Sequence, residues 1–248
     1  MLNNSGVIVI VNLSEDLEIQ TSTIKTLYCP SKITHIACNA ECLYAIGENG
    51  IVYRYTAMYD GPKTIEGIPP IDDIQCVGTD CTVVAKTKEG EYYGWASEDI
   101  FGALIPSDQD FKPDVPVRLD IEDGLKHVQF FENAGEHAIL FMCVDKNDTA
   151  TVYDNEKKPL KTVYDCVYTS SGPCCVWIAS SDGQVRSYGT YVSGARLPRI
   201  ADGPKRMISS IGWITIVVYE NNSIMMTGQS WERELYFTSE DNTLFYLQ

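Results

Sequence analysis

The chain has 248 residues, of which 34 are Asp or Glu and 19 are Lys or Arg, for a formal charge of −15. Nucleic-acid binding relies on Lys and Arg neutralising phosphates, so this balance argues against a protein that wraps DNA or RNA, and it disfavours an anionic membrane surface. An apolar share of 44% is ordinary for a folded chain and excludes wholesale disorder.

The start, Met1 to Ser14, has no positive n-region, and its apolar run from Val7 to Val11 is too short for a signal core or a membrane span. With a turn at Ser14-Glu-Asp and a return through Leu17-Glu-Ile, residues 7–20 read as a β-hairpin. Nine cysteines are an odd number in a chain long enough to bury a core without staples. They are read as reduced thiols in a cytosolic or nuclear protein.

From there a short pattern keeps returning: a polar turn, then alternating apolar and aromatic residues. It reads Glu-Asn-Gly-Ile-Val-Tyr-Arg-Tyr at 48–55 and Lys-Glu-Gly-Glu-Tyr-Tyr-Gly-Trp at 88–95. A weaker copy lies at 145–153, followed by Ser-Asp-Gly-Gln-Val-Arg-Ser-Tyr at 181–188 and Glu-Asn-Asn-Ser-Ile-Met-Met-Thr at 220–227. The last is Glu-Asp-Asn-Thr-Leu-Phe-Tyr-Leu at 240–247. Gly50, Gly90, Gly183, Asn222 and Asn242 sit where a tight hairpin wants positive φ. Aligned on positions 50, 90, 150, 183, 222 and 242, the copies are spaced by 40, 60, 33, 39 and 20 residues. That is the neighbourhood of a four-stranded propeller blade.

Upstream of each turn a second strand is predicted at Leu43–Ile46, Thr82–Ala85, Ala138–Val144, Cys175–Ala179 and Ile214–Tyr219. A third, shorter strand begins near Ile36, Ile74, Val128, Cys166 and Ile208. No stretch keeps a 3.6-residue apolar period over three turns. The expectation is an all-β chain over 1–248, folded as one β-propeller of about six four-stranded blades, with five or seven as the alternatives. Residues 235–247 read as a second terminal hairpin, which with 7–20 makes one composite blade that closes the ring.

The stretch Ile33-Thr-His-Ile-Ala-Cys-Asn-Ala-Glu-Cys-Leu-Tyr-Ala-Ile-Gly-Glu-Asn-Gly-Ile-Val-Tyr resembles a repeat of the regulator of chromosome condensation family. Gly90-Glu-Tyr-Tyr-Gly-Trp95 followed by Ala-Ser-Glu-Asp-Ile-Phe-Gly-Ala-Leu is similar to that family's aromatic-Gly-small-Leu loop. Pro116-Val-Arg-Leu resembles its Pro-Val strand, and Gly135-Glu136-His137 its Gly-Glu-His. The resemblance covers roughly residues 33–228. Units four and five lack the loop, Trp213 stands where the family often has His, and the repeats are shorter than the family's. The resemblance implies a propeller that binds other proteins, the best-known partner being a Ran-type small GTPase whose nucleotide exchange is accelerated. The family's chromatin role rests on a basic tail and arginine-bearing loops, from which this sequence departs.

Candidate chemistry is sparse. Cys38-x₃-Cys42 with Cys76-x₄-Cys81 has the look of a four-thiolate zinc set. The repeat register explains these cysteines more simply, as small fillers near the strand starts of successive blades. Cys174-Cys175 are neighbours on a strand and point to opposite faces. Cys143 and His137 would stand roughly 20 Å apart along one strand, too far for a nucleophile and its base. Asp72-Asp73, Glu98-Asp99 and Asp120 with Glu122-Asp123 are loop carboxylates, and no phosphate-cradling glycine loop is present. No catalytic residue, cofactor or metal is therefore expected.

The longest connection, 96–124, is the functional clue. It carries Glu98, Asp99, Phe101, Asp108, Asp110 and Asp114, which form the candidate surface for a partner protein. The expected function is a non-catalytic interaction module. The alternatives are an exchange factor for a Ran-type GTPase and a propeller enzyme or lectin.

Overall fold

The computed structural model describes residues 6–10, 25–38, 42–55, 61–78, 82–133, 138–172 and 174–189, and the backbone of 205–211, 214–219, 224–230, 233–234 and 237–239. No α-helix occurs among them. A short N-terminal pair, β1 (Val9–Ile10) and β2 (Lys25–Thr26), precedes five sheets.

The first sheet runs β3 (Ile33–Cys38), β4 (Leu43–Gly47), β5 (Val52–Tyr55) and β6 (Lys63–Thr64) in sequence order. The second repeats it with β7 (Ile71–Val77), β8 (Thr82–Thr87), β9 (Tyr92–Trp95) and β10 (Val117–Leu119). The third holds β11 (His127–Asn133), β12 (Ala138–Val144), β13 (Ala150–Tyr153) and β14 (Pro159–Val163). The fourth shows three strands, β15 (Cys166–Gly172), β16 (Cys175–Ser180) and β17 (Val185–Gly189). In the fifth, β18 (Lys205–Ile211), β19 (Ile214–Tyr219) and β20 (Ile224–Ser230) are joined by β21 (Arg233–Glu234) and β22 (Phe237–Ser239). Each sheet is an antiparallel meander, the arrangement of a propeller blade.

The repeat extends to the register. The first strand slips by one residue at the same place in four sheets, at Ile33/His35, Ile71/Asp73, Cys166/Tyr168 and Lys205/Met207. The turn between second and third strands is also one structure repeated. Its first N–H reaches the carbonyl four residues on, from Gly47 to Ile51, Thr87 to Glu91, Asp145 to Thr149 and Ser180 to Gln184, at 2.9 to 3.0 Å. The fourth residue, Gly50, Gly90, Asp148 or Gly183, takes positive φ. The third unit's turn therefore centres on Asp148, two residues before the expected position 150. Asp tolerates the left-handed region well enough to stand in for Gly.

Two of these turns are held by carboxylates. Asp145 Oδ1 accepts the N–H groups of Asn147 and Thr149 at 2.8 and 2.9 Å, and the Thr149 bond leads in holding its carboxyl below the usual range. Asp182 is lowered first by the Ser180 hydroxyl and then by the Gln184 N–H. A folded-state pKa below the unfolded value gives stability that is present above the ordinary carboxylate range and lost as pH falls through the folded value. Asp145→Asn keeps an acceptor but removes the charge. It is expected to narrow the gap between urea midpoints at pH 6 and pH 3; an unchanged gap would contradict the role given to the ionised form.

The second strands explain the core. β4 buries Tyr44, Ala45 and Ile46, and its two faces serve different clusters. Tyr44 and Ile46 pack with Val52, Ile71, Ile74, Val83, Ala85 and Trp95, while Ala45 packs with Ile8, Ile33, Tyr53 and Tyr55. The third and fourth sheets share a third cluster around Phe131, Met142, Val152, Cys166, Val176 and Ile178. A strand apolar on both faces is what stacked sheets require, and it is why these strands read as continuous apolar runs.

The chain divides into two compact units. Among the described residues one holds those up to Ser97 with Asp114–Arg118, and the other holds Glu98–Pro113 and those from Leu119 onward.

The terminal hairpins expected at 7–20 and 235–247 fall largely outside the described residues. β1 pairs with β2, Val9 opposing Thr26 and Ile10 opposing Lys25; the expected strand at 17–20 lies outside the described residues. At the other end β22 pairs with β20, so Phe237–Ser239 belongs to the fifth sheet; residues 240–247 lie outside the described residues.

Cysteine chemistry needs one correction, since Cys42 is disulfide-bonded and not a reduced thiol. Neither Cys174 nor Cys175 is disulfide-bonded, and both are buried. Burial pushes the thiols of Cys76 and Cys143 up to about 12 and that of Cys174 to about 11, while Cys38 is exposed. Iodoacetamide at pH 8 is expected to alkylate Cys38 in the folded protein and to reach Cys76, Cys143 and Cys174 only in urea. Their labelling in native buffer would contradict this packing.

Candidate partner-binding loop

The long connection leaves β9 at Trp95 and re-enters its sheet at Val117. It is built inward first. Asp99 Oδ1 accepts the N–H groups of Phe101 and Gly102 at 3.1 and 3.2 Å, closing a turn that leads into a single 3₁₀ turn at Gly102–Leu104. That turn drives Phe101 and Leu104 to zero exposure, with Ile100 also buried.

Backbone bonds then fix the segment within its unit. The Ile100 carbonyl accepts the Ile139 N–H at 3.0 Å and the Asn155 side-chain amide at 3.4 Å. The Leu104 carbonyl accepts the Asp120 N–H at 2.7 Å, and the Asp120 carboxylate pairs with Lys157. Gly102 has φ 55°, and a Cβ there would stand 2.8 Å from the Asn155 amide nitrogen, so the close approach suits glycine.

The polar side chains face the other way. Glu98, Asp99, Asp108 and Asp110 are exposed in this unit. Asp114 lies in the first unit, where its N–H donates to the Ala96 carbonyl at 2.9 Å and its carboxylate meets Arg54 at 3.4 Å. Phe101 is corrected from a partner-facing aromatic to a buried anchor. What the loop offers is a set of four carboxylates on a backbone held from beneath. Sequence reasoning missed the anchoring pairs Arg54–Asp114 and Lys157–Asp120, which join positions far apart in the chain with no local signal. The spacing of Ile100, Phe101 and Leu104 was the available sign that one edge of the loop is apolar.

Sheets of this order and repeat define the β-propeller fold, all-β with four-stranded blades. No family model matches the sequence, and no curated protein matches it. Among solved structures the chain is similar to Prp20p from Saccharomyces cerevisiae, in a structure described with its binding to Gsp1p and histones, at TM-score 0.62 and 12% identity over 92% of this chain and 68% of that one. It is similar to human WBSCR16, at TM-score 0.59 and 12% identity over 85% of this chain and 65% of that one. A structure of Kap60 bound to yeast RCC1 (Prp20) matches at TM-score 0.57 and 12% identity, over 79% of this chain and 56% of that one. The chain thus spans under two thirds of the length of two of these. The resemblance read from the first two repeats agrees with this fold.

Proposed function

We propose that this chain is a non-catalytic protein-interaction module, one propeller of six blades, that receives a basic face of another protein on the loop 98–113. The observation that carries the reading is the split of that loop. Ile100, Phe101 and Leu104 are locked into the fold while Glu98, Asp99, Asp108 and Asp110 are exposed. A preorganised acidic surface on a rigid scaffold binds with little ordering cost, and its field steers a basic partner to it.

The test is affinity capture from the source cell with the wild-type chain and the E98Q/D108N/D110N variant as baits. Asp99 is left in place because its carboxylate closes the turn. A partner held by the wild type and lost from the variant at physiological salt supports the reading; equal retention contradicts it.

A second reading, nucleotide exchange on a Ran-type small GTPase, is favoured by the likeness to Prp20p, whose structure was described with Gsp1p binding. Exchange requires only differential binding of the nucleotide-free GTPase, and so no chemical machinery. Accelerated release of labelled GDP from such a GTPase would support it, and an unchanged release rate would remove it.

A further inference from the structure

The third and fourth sheets meet at a cavity of about 350 Å³, well away in sequence from the acidic loop. Lys161 and Val163 of β14, Ile178 of β16, and Arg186, Ser187 and Tyr188 of β17 line it, all within one compact unit. Its walls are apolar where they meet the core. Val163 and Ile178 are 4% and 1% exposed and belong to the cluster that the two sheets share, and Tyr188 packs against that cluster. The Tyr188 hydroxyl donates to the Leu160 carbonyl at 3.5 Å, bridging the two sheets.

The charge at this cavity runs against that of the chain. Lys161 and Arg186 line it and no carboxylate does, in a protein of net charge −15. The Arg186 guanidinium is aimed by neutral acceptors, the Ser180 hydroxyl at 3.1 Å and the Gln184 side-chain oxygen at 2.7 Å. Asp182 lies near enough to feel that charge, but its Oδ1 already accepts the Ser180 hydroxyl and the Gln184 N–H at 2.5 and 3.0 Å. Lys161 is exposed, and so is Lys158 just before the same strand. Cations beside an apolar wall attract an anion more strongly than cations in open water.

The apolar surface continues beyond the cavity. Leu160 in β14 and Tyr164 just after it are 39% and 69% exposed. A cavity near the lower end of the usual ligand range of about 300–1,000 Å³, extended by exposed apolar groups and a further lysine, suits a length of chain better than a compact molecule. Backbone pairing with β14 is disfavoured, because that outer strand opens with Pro159 and carries Lys161, both of which guard a sheet edge. Recognition here therefore runs through side chains.

We propose that this groove seats an acidic peptide segment of a second partner protein, one apolar side chain in the cavity and the flanking carboxylates on Lys161 and Arg186. The site is opposite in sign to the loop 98–113 and goes beyond the function proposed above.

The test is a fluorescein-labelled peptide of alternating Glu and Leu, titrated with the full chain at low salt and followed by fluorescence anisotropy. The peptide is expected to bind, Lys161→Glu to weaken it about tenfold, and Lys161→Arg to restore it. Replacing the peptide's Leu by Ser at unchanged charge is expected to weaken binding about tenfold as well. Equal affinity for the Leu and Ser peptides would mean diffuse charge attraction alone and overturns the proposal. So does an absence of binding, or binding that Lys161→Glu leaves untouched. Sedimentation of the chain alone adds a separate outcome: self-association lost in Lys161→Glu would seat a second copy's acidic loop in the groove and overturn the assignment to another protein. The loop 98–113 repels a probe of this sign, so failure here and failure of the loop reading are told apart.

Discussion

Trp95→Ala is expected to lower the unfolding free energy by about 3–5 kcal/mol, read as a fall in the urea midpoint. Trp95 has no exposed surface and ends β9, inside the cluster that joins the first two sheets through Tyr44, Ile46, Val52, Ile71 and Val83. Its ring meets Tyr44 edge to face, with centroids 5.8 Å apart and planes at 67°. Truncation loses the transfer energy of the largest side chain in the cluster and leaves a cavity that the flanking strands, fixed by ladders on both sides, cannot collapse. It also removes an aromatic pair contributing about 0.5–1.5 kcal/mol beyond its buried area. Trp95→Phe keeps a ring against Tyr44 and should lose clearly less. A Trp95→Ala midpoint within error of wild type would mean that the two sheets are not packed through this cluster.

Gly50→Val is expected to cost about 2–4 kcal/mol, from left-handed backbone strain together with overpacking. Gly50 has φ 79°, and a Cβ there would lie 2.7 Å from the Pro70 Cβ and 3.0 Å from the Ile71 nitrogen. The tight approach exists because the Gly50 carbonyl accepts the Ile71 N–H, tying the turn of one blade to the first strand of the next. Gly90 separates the two causes. It takes φ 92° in the same kind of turn, yet a Cβ would meet nothing within 4 Å. Gly90→Val should therefore lose only the dihedral part, about 1–2 kcal/mol. Equal losses at the two sites would contradict a latch at Gly50.

The parts of this fold that were readable carry their signal locally. Leu43–Gly47, Thr82–Thr87 and Cys175–Ser180 are buried on both faces, so each spells a continuous apolar run, and Gly50, Gly90 and Gly183 mark the turns that follow. The unread parts lack such a signal. β6 is only Lys63-Thr64, and β14 exposes four of its five residues, so these outer strands show no apolar alternation. The third turn hid because Asp148 does the work of a glycine. β2, which pairs with Val9–Ile10, was unread because Lys25-Thr26 spells no apolar alternation.

The candidate loop was half legible. Its acidic residues stand out in the sequence, and Glu98, Asp99, Asp108 and Asp110 are indeed exposed. Phe101 stood among them as a candidate for the partner surface. Its neighbours Ile100 and Leu104 instead turn it into an anchor for the loop itself. Asp114 pairs instead with Arg54, sixty positions earlier in the chain, which no local pattern announces.

The proposed interaction seats a basic partner on the exposed carboxylates of the long loop. Association kinetics of the captured partner with wild type and with E98Q/D108N/D110N, measured across salt concentrations, test it most directly. The wild-type on-rate is expected to be about tenfold faster at low salt and to converge with the variant's as salt screens the field, with the two off-rates closer together. On-rates equal at low salt, or a difference that salt leaves untouched, would contradict it.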